Sequence, residues 1–232
     1  MTSRFHSFSD RATLASTLAE TVAAALRSGI QARGTATLAV SGGSTPKGFF
    51  EALSDLELAW DKVTITLVDE RFVPADNARS NHLLVATHLL KNKAAAANFL
   101  PLYRDTATAG EAAEAVTAEM ASLALPFDVV ILGMGTDGHT ASFFPGGDHL
   151  AQSLDLTLPR RVLTMEAEGA GEPRLTFSFS ALADARLLAL HIEGAEKKTV
   201  LDAALAGTDE SELPVRAPLN RAATPVDIYW AP

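Results

Sequence analysis

Apolar residues near the N-terminus repeat with the period of an α-helix. In SDRATLASTLAETVAAALRSG they recur at every fourth position from Leu14 to Leu26, which places them on one face of a helix. Ser9 is expected to cap this helix, and Gly29 or Gly34 to end it. So regular a stripe predicts a helix that packs against a core.

Short continuous apolar runs further along the chain predict strands. They comprise TATLAV (35–40), VTITLV (63–68), FDVVIL (127–132), RVLTMEA, LLALHIEG and DIYWAP. Helical patterns separate these runs: one opens at Pro46, one opens at Ser80, and two more span AGEAAEAVTAEMASL and EKKTVLDAALAG. The segment KNKAAAAN (91–98) is expected to be a helix end and loop. This alternation predicts an α/β fold with a mostly parallel sheet and helices on both faces.

Composition narrows the class of protein. The 232 residues suit a single domain spanning 1–232, and the absence of cysteine and of an apolar signal core favours the cytoplasm. No segment approaches the roughly 20 apolar residues of a membrane span. A net charge of −9 disfavours nucleic acids and acidic membranes as partners, so an anionic ligand needs a local cluster of donors.

Polar loops follow three of the predicted strands. SGGSTP follows TATLAV, DERFVP follows VTITLV, and GMGTDGHTASFFP follows FDVVIL. In an open α/β sheet, ligands bind beyond the carboxyl ends of the strands. We therefore expect the three loops to meet at one edge of the sheet and to form a site there.

The first loop is compatible with two interpretations. A plain strand-to-helix turn uses glycine, hydroxyl residues and proline in this order. Alternatively, a helix that opens at Pro46 behind Thr45 as N-cap offers unpaired N–H groups to an anion, Ser44 adds a hydroxyl, and Gly42 and Gly43 allow a phosphate to approach closely.

The third loop matches G-x-G-x-x-G, yet a dinucleotide fingerprint needs a long helix at the glycines, and Pro145 interrupts within two turns. The glycines instead suit a different ligand beside a histidine. His139 could transfer a proton near neutral pH or could brace the loop. Asp137 could orient that imidazole or cap the loop.

Charged residues supply the remaining candidates. Asp69-Glu70-Arg71 could be a solvated charge cluster at the end of a strand. Alternatively, it could belong to a site in which Arg71 binds a phosphate or an oxyanion. Asp69 would then contact a sugar hydroxyl or position Arg71, and Glu70 would point away. Lys197 opens a helix, where a lysine opposes the helix dipole and needs an anion, whereas Lys198 has no such role. Arg174 in GEPRLTFS is a further cation.

No metal site is expected, because the histidines lack metal-ligand spacing and there are no cysteine partners. The chain also lacks a G-x-S-x-G elbow and a G-x-x-x-x-G-K-[ST] loop, so a serine-triad hydrolase and a nucleotide hydrolase are disfavoured.

Taken in order, SGGSTP, VDERFVP with a following SN, and ILGMGTDGHTASFFPG resemble the glucosamine-6-phosphate isomerase/6-phosphogluconolactonase family, and specifically its lactonases. The resemblance spans the chain and includes PRLTFS and GAEKK. It implies a Rossmann-like sheet shared with glucosamine-6-phosphate deaminases. It also implies hydrolysis of 6-phospho-D-glucono-1,5-lactone to 6-phospho-D-gluconate, the second step of the oxidative pentose phosphate pathway, without metal or cofactor.

The resemblance also implies roles for individual residues. They are His139 as base, Asp69 and Arg71 in the second loop, Lys197 toward the phosphate, and a phosphate loop of Gly42, Gly43, Ser44 and Thr45. The residue types add Asp137 to the catalytic candidates and Arg174 to the phosphate-binding ones. A base would deprotonate the water that attacks the lactone carbonyl. Arg71 or glycine N–H groups from residues 133 to 138 would stabilise the oxyanion.

Two rival functions are less compatible with the sequence. In the third loop the deaminases have a sequence similar to DGHIAFNEP, whereas this chain has DGHTASFFP, with Phe144 in place of a proton-transferring glutamate. In the second loop the deaminases have DEY, whereas this chain has DER. A sugar-phosphate sensor that regulates transcription would need a DNA-binding helix-turn-helix, for which there is no room ahead of TATLAV. The expected partner is a small sugar phosphate, bound by a monomer or weak homodimer.

Overall fold

The structure is a computed structural model and describes residues 3–232. Its strands are β1 (Arg4–Ser7), β2 (Ala36–Val40), β3 (Val63–Leu67), β4 (Asp69–Arg71), β5 (Asn98–Leu100), β6 (Val129–Leu132), β7 (Val162–Met165), β8 (Arg174–Phe177), β9 (Leu187–Glu193) and β10 (Val226–Ala231). Its helices are α1 (Arg11–Arg33), α2 (Lys47–Ser54), α3 (Asn81–His88), α4 (Ala109–Glu119), α5 (Leu150–Ser153), α6 (Phe179–Leu182), α7 (Ala195–Ala206) and α8 (Arg216–Arg221), with three short 3₁₀ helices (Trp60–Lys62, Asn92–Ala96, Met120–Ser122).

A seven-stranded sheet forms the centre of the fold. Its order is β1-β10-β9-β6-β2-β3-β5, and every neighbouring pair is parallel. Every residue of β2 and β6 is buried, so both faces of the sheet are covered at its centre, which explains the continuous apolar runs. The predicted mostly parallel α/β sheet is confirmed.

The strand order reverses between β2 and β6. From β2 the chain runs outward through β3 and β5, returns to β6 on the other side of β2, and continues through β9 to β10. Parallel connections that diverge in this way leave a crevice at the carboxyl ends of the two strands. The loops SGGSTP and GMGTDGH follow these two strands directly.

A second sheet is antiparallel and has the order β4-β8-β7. It turns the predicted loop DER into a short strand, and it contains the strand predicted in RVLTMEA. The sequence patterns had not indicated β8, which carries Arg174. Backbone pairing places Arg71 directly opposite Arg174.

The beginnings of two helices differ from the prediction. Ser9 does not cap α1, because Asp10 is the N-cap and its Oδ1 accepts a hydrogen bond from the Thr13 N–H at 2.8 Å. Thr45 is likewise not the N-cap of α2, which begins at Lys47 with no side-chain cap. Ser9 and Asp10 have similar capping ability and cannot be separated by residue type, whereas at α2 Pro46 occupies the N-cap position, which it cannot cap through its side chain.

Other helix boundaries follow the sequence. Gly34 ends α1 in the left-handed conformation at φ 82°, and Ser80 caps α3 by accepting from the Leu83 N–H. The segment 91–98, expected to be a helix end and loop, forms a 3₁₀ helix and the start of β5. Among the described residues, no helix is both long and apolar enough to cross a membrane.

Candidate active site

A pocket of about 230 Å³ opens at the carboxyl ends of β2, β4, β6 and β9. All three polar loops contribute to it, as the strand order requires. Among its lining residues are Ser41, Gly42, Gly43, Ser44, Thr45, Asp69, Arg71, Gly135, His139, Arg174, His191 and Lys197. The structure thus gathers the candidate residues around one cavity, with Asp137 adjoining through His139.

The first loop presents backbone donors. Within residues 3–232, the N–H groups of the four residues from Gly42 to Thr45 make no hydrogen bond, and Gly43 lies in the left-handed region at φ 92°. Ser41 Oγ accepts from the Gly133 N–H at 2.9 Å and ties this loop to the third one. Successive unpaired N–H groups beside a pocket form a typical anion-binding surface.

Lys197 brings a cation to the first loop. Its Nζ donates to Thr45 Oγ1 at 3.2 Å, and no carboxylate of the described chain forms an ion pair with it. Burial lowers its pKa below the ordinary lysine value, although Glu193 and Glu196 act in the opposite direction. An additional anion at the loop would therefore be stabilised by this lysine.

The third loop builds a histidine–carboxylate pair. His139 Nδ1 lies 2.5 Å from Asp137 Oδ1, which also accepts from the His139 N–H at 3.1 Å. Asp137 thus both orients the imidazole and braces the loop, the two roles left open by the sequence. With Nδ1 as donor, the imidazole retains Nε2 as its basic nitrogen. Burial of Asp137 opposes ionisation, but the hydrogen bond and charge of His139 prevail and lower the Asp137 pKa.

Gly135 makes room for this pair. A Cβ at Gly135 would lie 2.2 Å from His139 Nδ1 and 2.4 Å from Asp137 Oδ1, so a side chain would displace both groups. Gly138 adopts φ 77°, which favours glycine. The glycines of this loop therefore make room for the histidine–carboxylate pair, and no long helix follows them.

Phe144 packs against His139. The two ring centroids are 4.4 Å apart, and Arg174 Cζ lies 5.3 Å from the Phe144 ring. Phe144 is buried, as is Arg174, whose pKa is lowered by burial. The face of the imidazole is therefore covered by an apolar ring, which limits its rotation.

Asp69 and Arg71 are held by different partners. Asp69 Oδ2 accepts from Ser142 Oγ at 2.6 Å, whereas Arg71 Nη1 donates to the Arg79 carbonyl at 2.6 Å and to Asn81 Oδ1 at 3.0 Å. Within the described residues, no ion pair joins Asp69 to Arg71. Asp69 thus does not position Arg71 through direct contact of the two side chains.

Glu70 does not point away, contrary to expectation. It is fully buried, and it accepts four hydrogen bonds, from the N–H groups of Arg71, Asn81 and His82 and from Ser80 Oγ. Burial raises its pKa, and the donors partly offset that effect. The carboxylate therefore fastens the start of α3 to β4.

Comparison of the amino-acid sequence with known proteins identifies the family of this chain. The family model described as glucosamine-6-phosphate isomerases/6-phosphogluconolactonase matches residues 9–230. The chain belongs to this family. It is 62% identical over 232 residues to the 6-phosphogluconolactonase of Rhizobium meliloti (strain 1021), with both chains covered completely. The family expected from the three loops is confirmed.

Two solved structures have the same fold. A 6-phosphogluconolactonase from Shewanella baltica OS155 superposes with a TM-score of 0.96 at 40% identity, covering 99% of this chain and 98% of that one. A monomeric glucosamine-6-phosphate deaminase superposes with a TM-score of 0.81 at 17% identity, covering 98% and 97%. The expected relation to the deaminase fold is therefore confirmed.

The sequence alone assigned no role to several residues that line the pocket or support it from behind. Asn81 accepts from Arg71 and donates to the Asp69 carbonyl, and Ser142 donates to the Asp69 carboxylate. In the sequence Asn81 is only part of the SN that follows VDERFVP, and both residue types are common in loops. His191 lines the pocket from β9, and its burial makes it resemble an ordinary core residue. Across residues 3–232, no three side chains of metal-binding type are grouped as a metal site would require.

Proposed function

We propose that this chain hydrolyses 6-phospho-D-glucono-1,5-lactone to 6-phospho-D-gluconate in the oxidative pentose phosphate pathway. One observation carries the proposal: the same pocket contains the His139–Asp137 pair and the unpaired N–H groups of the first loop. Relatives named 6-phosphogluconolactonase, at up to 62% identity over the whole chain, support the same activity.

The substrate phosphate binds at the first loop. The N–H groups from Gly42 to Thr45, the Ser44 and Thr45 hydroxyls and the Lys197 ammonium provide the donors. Arg174 lines the pocket as a further cation. Binding energy gained at the phosphate, far from the reacting carbon, fixes the lactone ring near His139.

His139 acts as the general base. Its Nε2 takes a proton from a water molecule as the water oxygen attacks carbon 1 of the lactone. Asp137 stabilises the resulting imidazolium through Nδ1–H. When the tetrahedral intermediate collapses, the bond between carbon 1 and the ring oxygen breaks, and that oxygen receives the proton from Nε2. The product is an open-chain acid, which ionises.

Arg71 stabilises the oxyanion. The two candidate sources were Arg71 and the loop N–H groups, but the glycine N–H groups are already engaged: Gly133 donates to Ser41 Oγ, Gly135 to the His139 carbonyl, and Gly138 to the Gly135 carbonyl. The Nε and Nη2 atoms of Arg71 donate to no atom of the described chain, and Arg71 lines the pocket. A preorganised cation at this position favours developing negative charge.

Asp69 contacts a sugar hydroxyl. Its Oδ2 is engaged by Ser142, whereas Oδ1 accepts no hydrogen bond within residues 3–232, and the residue lines the pocket. We further propose that the chain folds as one domain and acts as a monomer or weak homodimer, since residues of one chain form this pocket. The cytoplasmic location stays a prediction.

Acid release from freshly prepared 6-phosphogluconolactone tests the proposed function. We expect the protein to accelerate release well above the spontaneous rate and to act poorly on unphosphorylated gluconolactone. Ammonia release from glucosamine 6-phosphate is the comparison assay, and we expect none, because Phe144 cannot transfer a proton. A rate equal to the protein-free background would refute the proposal.

A further inference from the structure

Asn81, the first residue of α3, lies between two of the loops that form the pocket. It is 2% exposed, and its side-chain amide contacts Arg71 and Asp69. We infer that Asn81 is a positioning residue that fixes the Arg71 guanidinium for catalysis and sets its distance from the phosphate loop. This inference rests on the proposed function, because it assigns Asn81 to the oxyanion side of that reaction.

Both ends of the Asn81 amide are engaged. Oδ1 accepts from Arg71 Nη1 at 3.0 Å, and Nδ2 donates to the Asp69 carbonyl at 2.9 Å. Because one end must accept and the other must donate, this pair of contacts permits one orientation of the amide. The Arg79 carbonyl holds the same Nη1 at 2.6 Å, so this nitrogen of the guanidinium is anchored, while Nη2 makes no hydrogen bond within the described residues.

The backbone of Asn81 is anchored to the same element as Arg71. Glu70 Oε1 accepts from the Asn81 N–H at 2.7 Å and from the Arg71 N–H at 2.8 Å. Glu70 is fully buried, so this connection is shielded from water. A residue that reaches Arg71 both through its side chain and through a shared carboxylate holds the arginine more rigidly than an exposed partner would.

Asn81 also lies against the phosphate loop. A Cβ at Gly42 would lie 1.9 Å from Asn81 Oδ1 and 2.2 Å from Asn81 Cγ. Gly42 does not have a positive φ, so its backbone conformation is open to alanine. The proximity of Asn81 is therefore what requires glycine at this position. The Asn81 amide acts as the spacer between Arg71 and the first loop (residues 42–45), which is the proposed phosphate loop.

A double-mutant cycle tests the catalytic part of the inference. We expect Asn81→Ala to lower kcat for 6-phosphogluconolactone about tenfold or more while changing KM less than about threefold, because a mobile Arg71 stabilises the oxyanion poorly. In the Arg71→Lys background, which lacks the guanidinium fork, we expect Asn81→Ala to lower kcat by less than about threefold. Independent, multiplicative losses would overturn the inference.

A stability control separates positioning from general destabilisation. Thr108→Ala removes the capping box at the start of α4, outside the pocket, and is expected to destabilise the fold without changing kcat. If the wild type is active and Asn81→Ala matches it in kcat, the inference fails and the proposed function stands. If the wild type itself does not exceed the background rate, the proposed function fails, and the catalytic role of Asn81 fails with it.

Thermal unfolding tests the spacer independently of activity. We expect Gly42→Ala to lower Tm strongly in the wild type, because its Cβ would overlap Asn81. In the Asn81→Ala background, most of that loss should disappear, since alanine lacks the overlapping amide. An equal Tm loss in both backgrounds would overturn the packing of Asn81 against the phosphate loop.

Discussion

At the scale of single residues, Lys197, the lysine proposed to bind phosphate, lowers the stability of the fold. Burial lowers its pKa, so between that pKa and the ordinary lysine value the unfolded chain binds more protons than the folded one. The cost to the unliganded fold is fully present below the lowered pKa and is relieved as the pH rises to the ordinary value. A bound phosphate would repay this cost by favouring the charged form.

We therefore predict opposite effects of Lys197→Met on stability and binding. At neutral pH it should raise Tm of the unliganded protein and remove the Tm increase caused by inorganic phosphate. Lys198→Met is the matched control, because Lys198 pairs with Asp202 near the surface and should leave the phosphate effect intact. Thermal unfolding with and without phosphate measures both. An unchanged phosphate effect in Lys197→Met would contradict the assignment.

The phosphate effect should also depend on pH in a particular direction. Lys197 must be protonated to bind phosphate, and its lowered pKa means that it loses the proton at a lower pH than an exposed lysine does. The Tm increase from phosphate should accordingly decline on the alkaline side before ordinary lysines titrate.

The position of a residue at the pocket was predictable where the residue type itself is informative. His139 and Arg71 stand out because an imidazole and a guanidinium directly after strands have few structural reasons to be there. Asn81 and Glu70 could not be assigned, because their functions depend on which backbone atoms lie within 3 Å of them after folding. Such contacts join segments about ten residues apart, so the SN that follows VDERFVP marks the position of Asn81 without indicating its role.

At the scale of elements, the connection between β4 and α3 depends on Glu70. Its two carboxylate oxygens accept from four donors, and a glutamine amide would turn one acceptor into a donor facing other donors. We predict that Glu70→Gln lowers the free energy of unfolding at neutral pH by about 2 kcal/mol or more. Urea unfolding measures it.

Glu114→Gln is the control for that substitution. Glu114 is exposed on α4, so the same change of group should alter the free energy of unfolding by less than about 0.5 kcal/mol. Equal effects of the two substitutions would show that the hydrogen bonds to Glu70 contribute little to stability.

Strands were predictable in proportion to their apolar length. β2, β3, β6, β9 and β10 are continuous apolar runs, since they are covered on both faces. β4 consists of three charged residues, and β5 and β8 are also short; they exist because a partner strand is brought alongside by the fold. Pairing between distant segments overrides local propensity in these cases.

At the scale of the whole molecule, the strand order explains why three loops far apart in the chain form one pocket. The sequence predicted their meeting from the general rule for parallel sheets, but it contained no information about which strands are neighbours. The position of β6 beside β2 places the histidine loop next to the phosphate loop. Lys197 joins them because α7 follows β9, the other neighbour of β6.

A single folded domain predicts one cooperative unfolding transition. The buried apolar side chains form a cluster that includes residues from α1 to β10, and the two tryptophans, Trp60 and Trp230, lie in distant parts of the sequence. We predict that Trp60→Phe and Trp230→Phe, each followed by the fluorescence of the remaining tryptophan, unfold with the same midpoint as the circular dichroism signal. Within either variant, a fluorescence midpoint that differs from the circular dichroism midpoint would indicate two units.

The most direct measurement compares acid release from 6-phosphogluconolactone by the wild type, His139→Ala and His149→Ala. His139 is the proposed base, whereas His149 is an exposed histidine paired with Asp148. We therefore predict a loss of kcat of about a hundredfold or more in His139→Ala, with little change in KM, and wild-type kinetics in His149→Ala. A wild-type kcat in His139→Ala, or a loss confined to KM, would contradict general-base catalysis by His139.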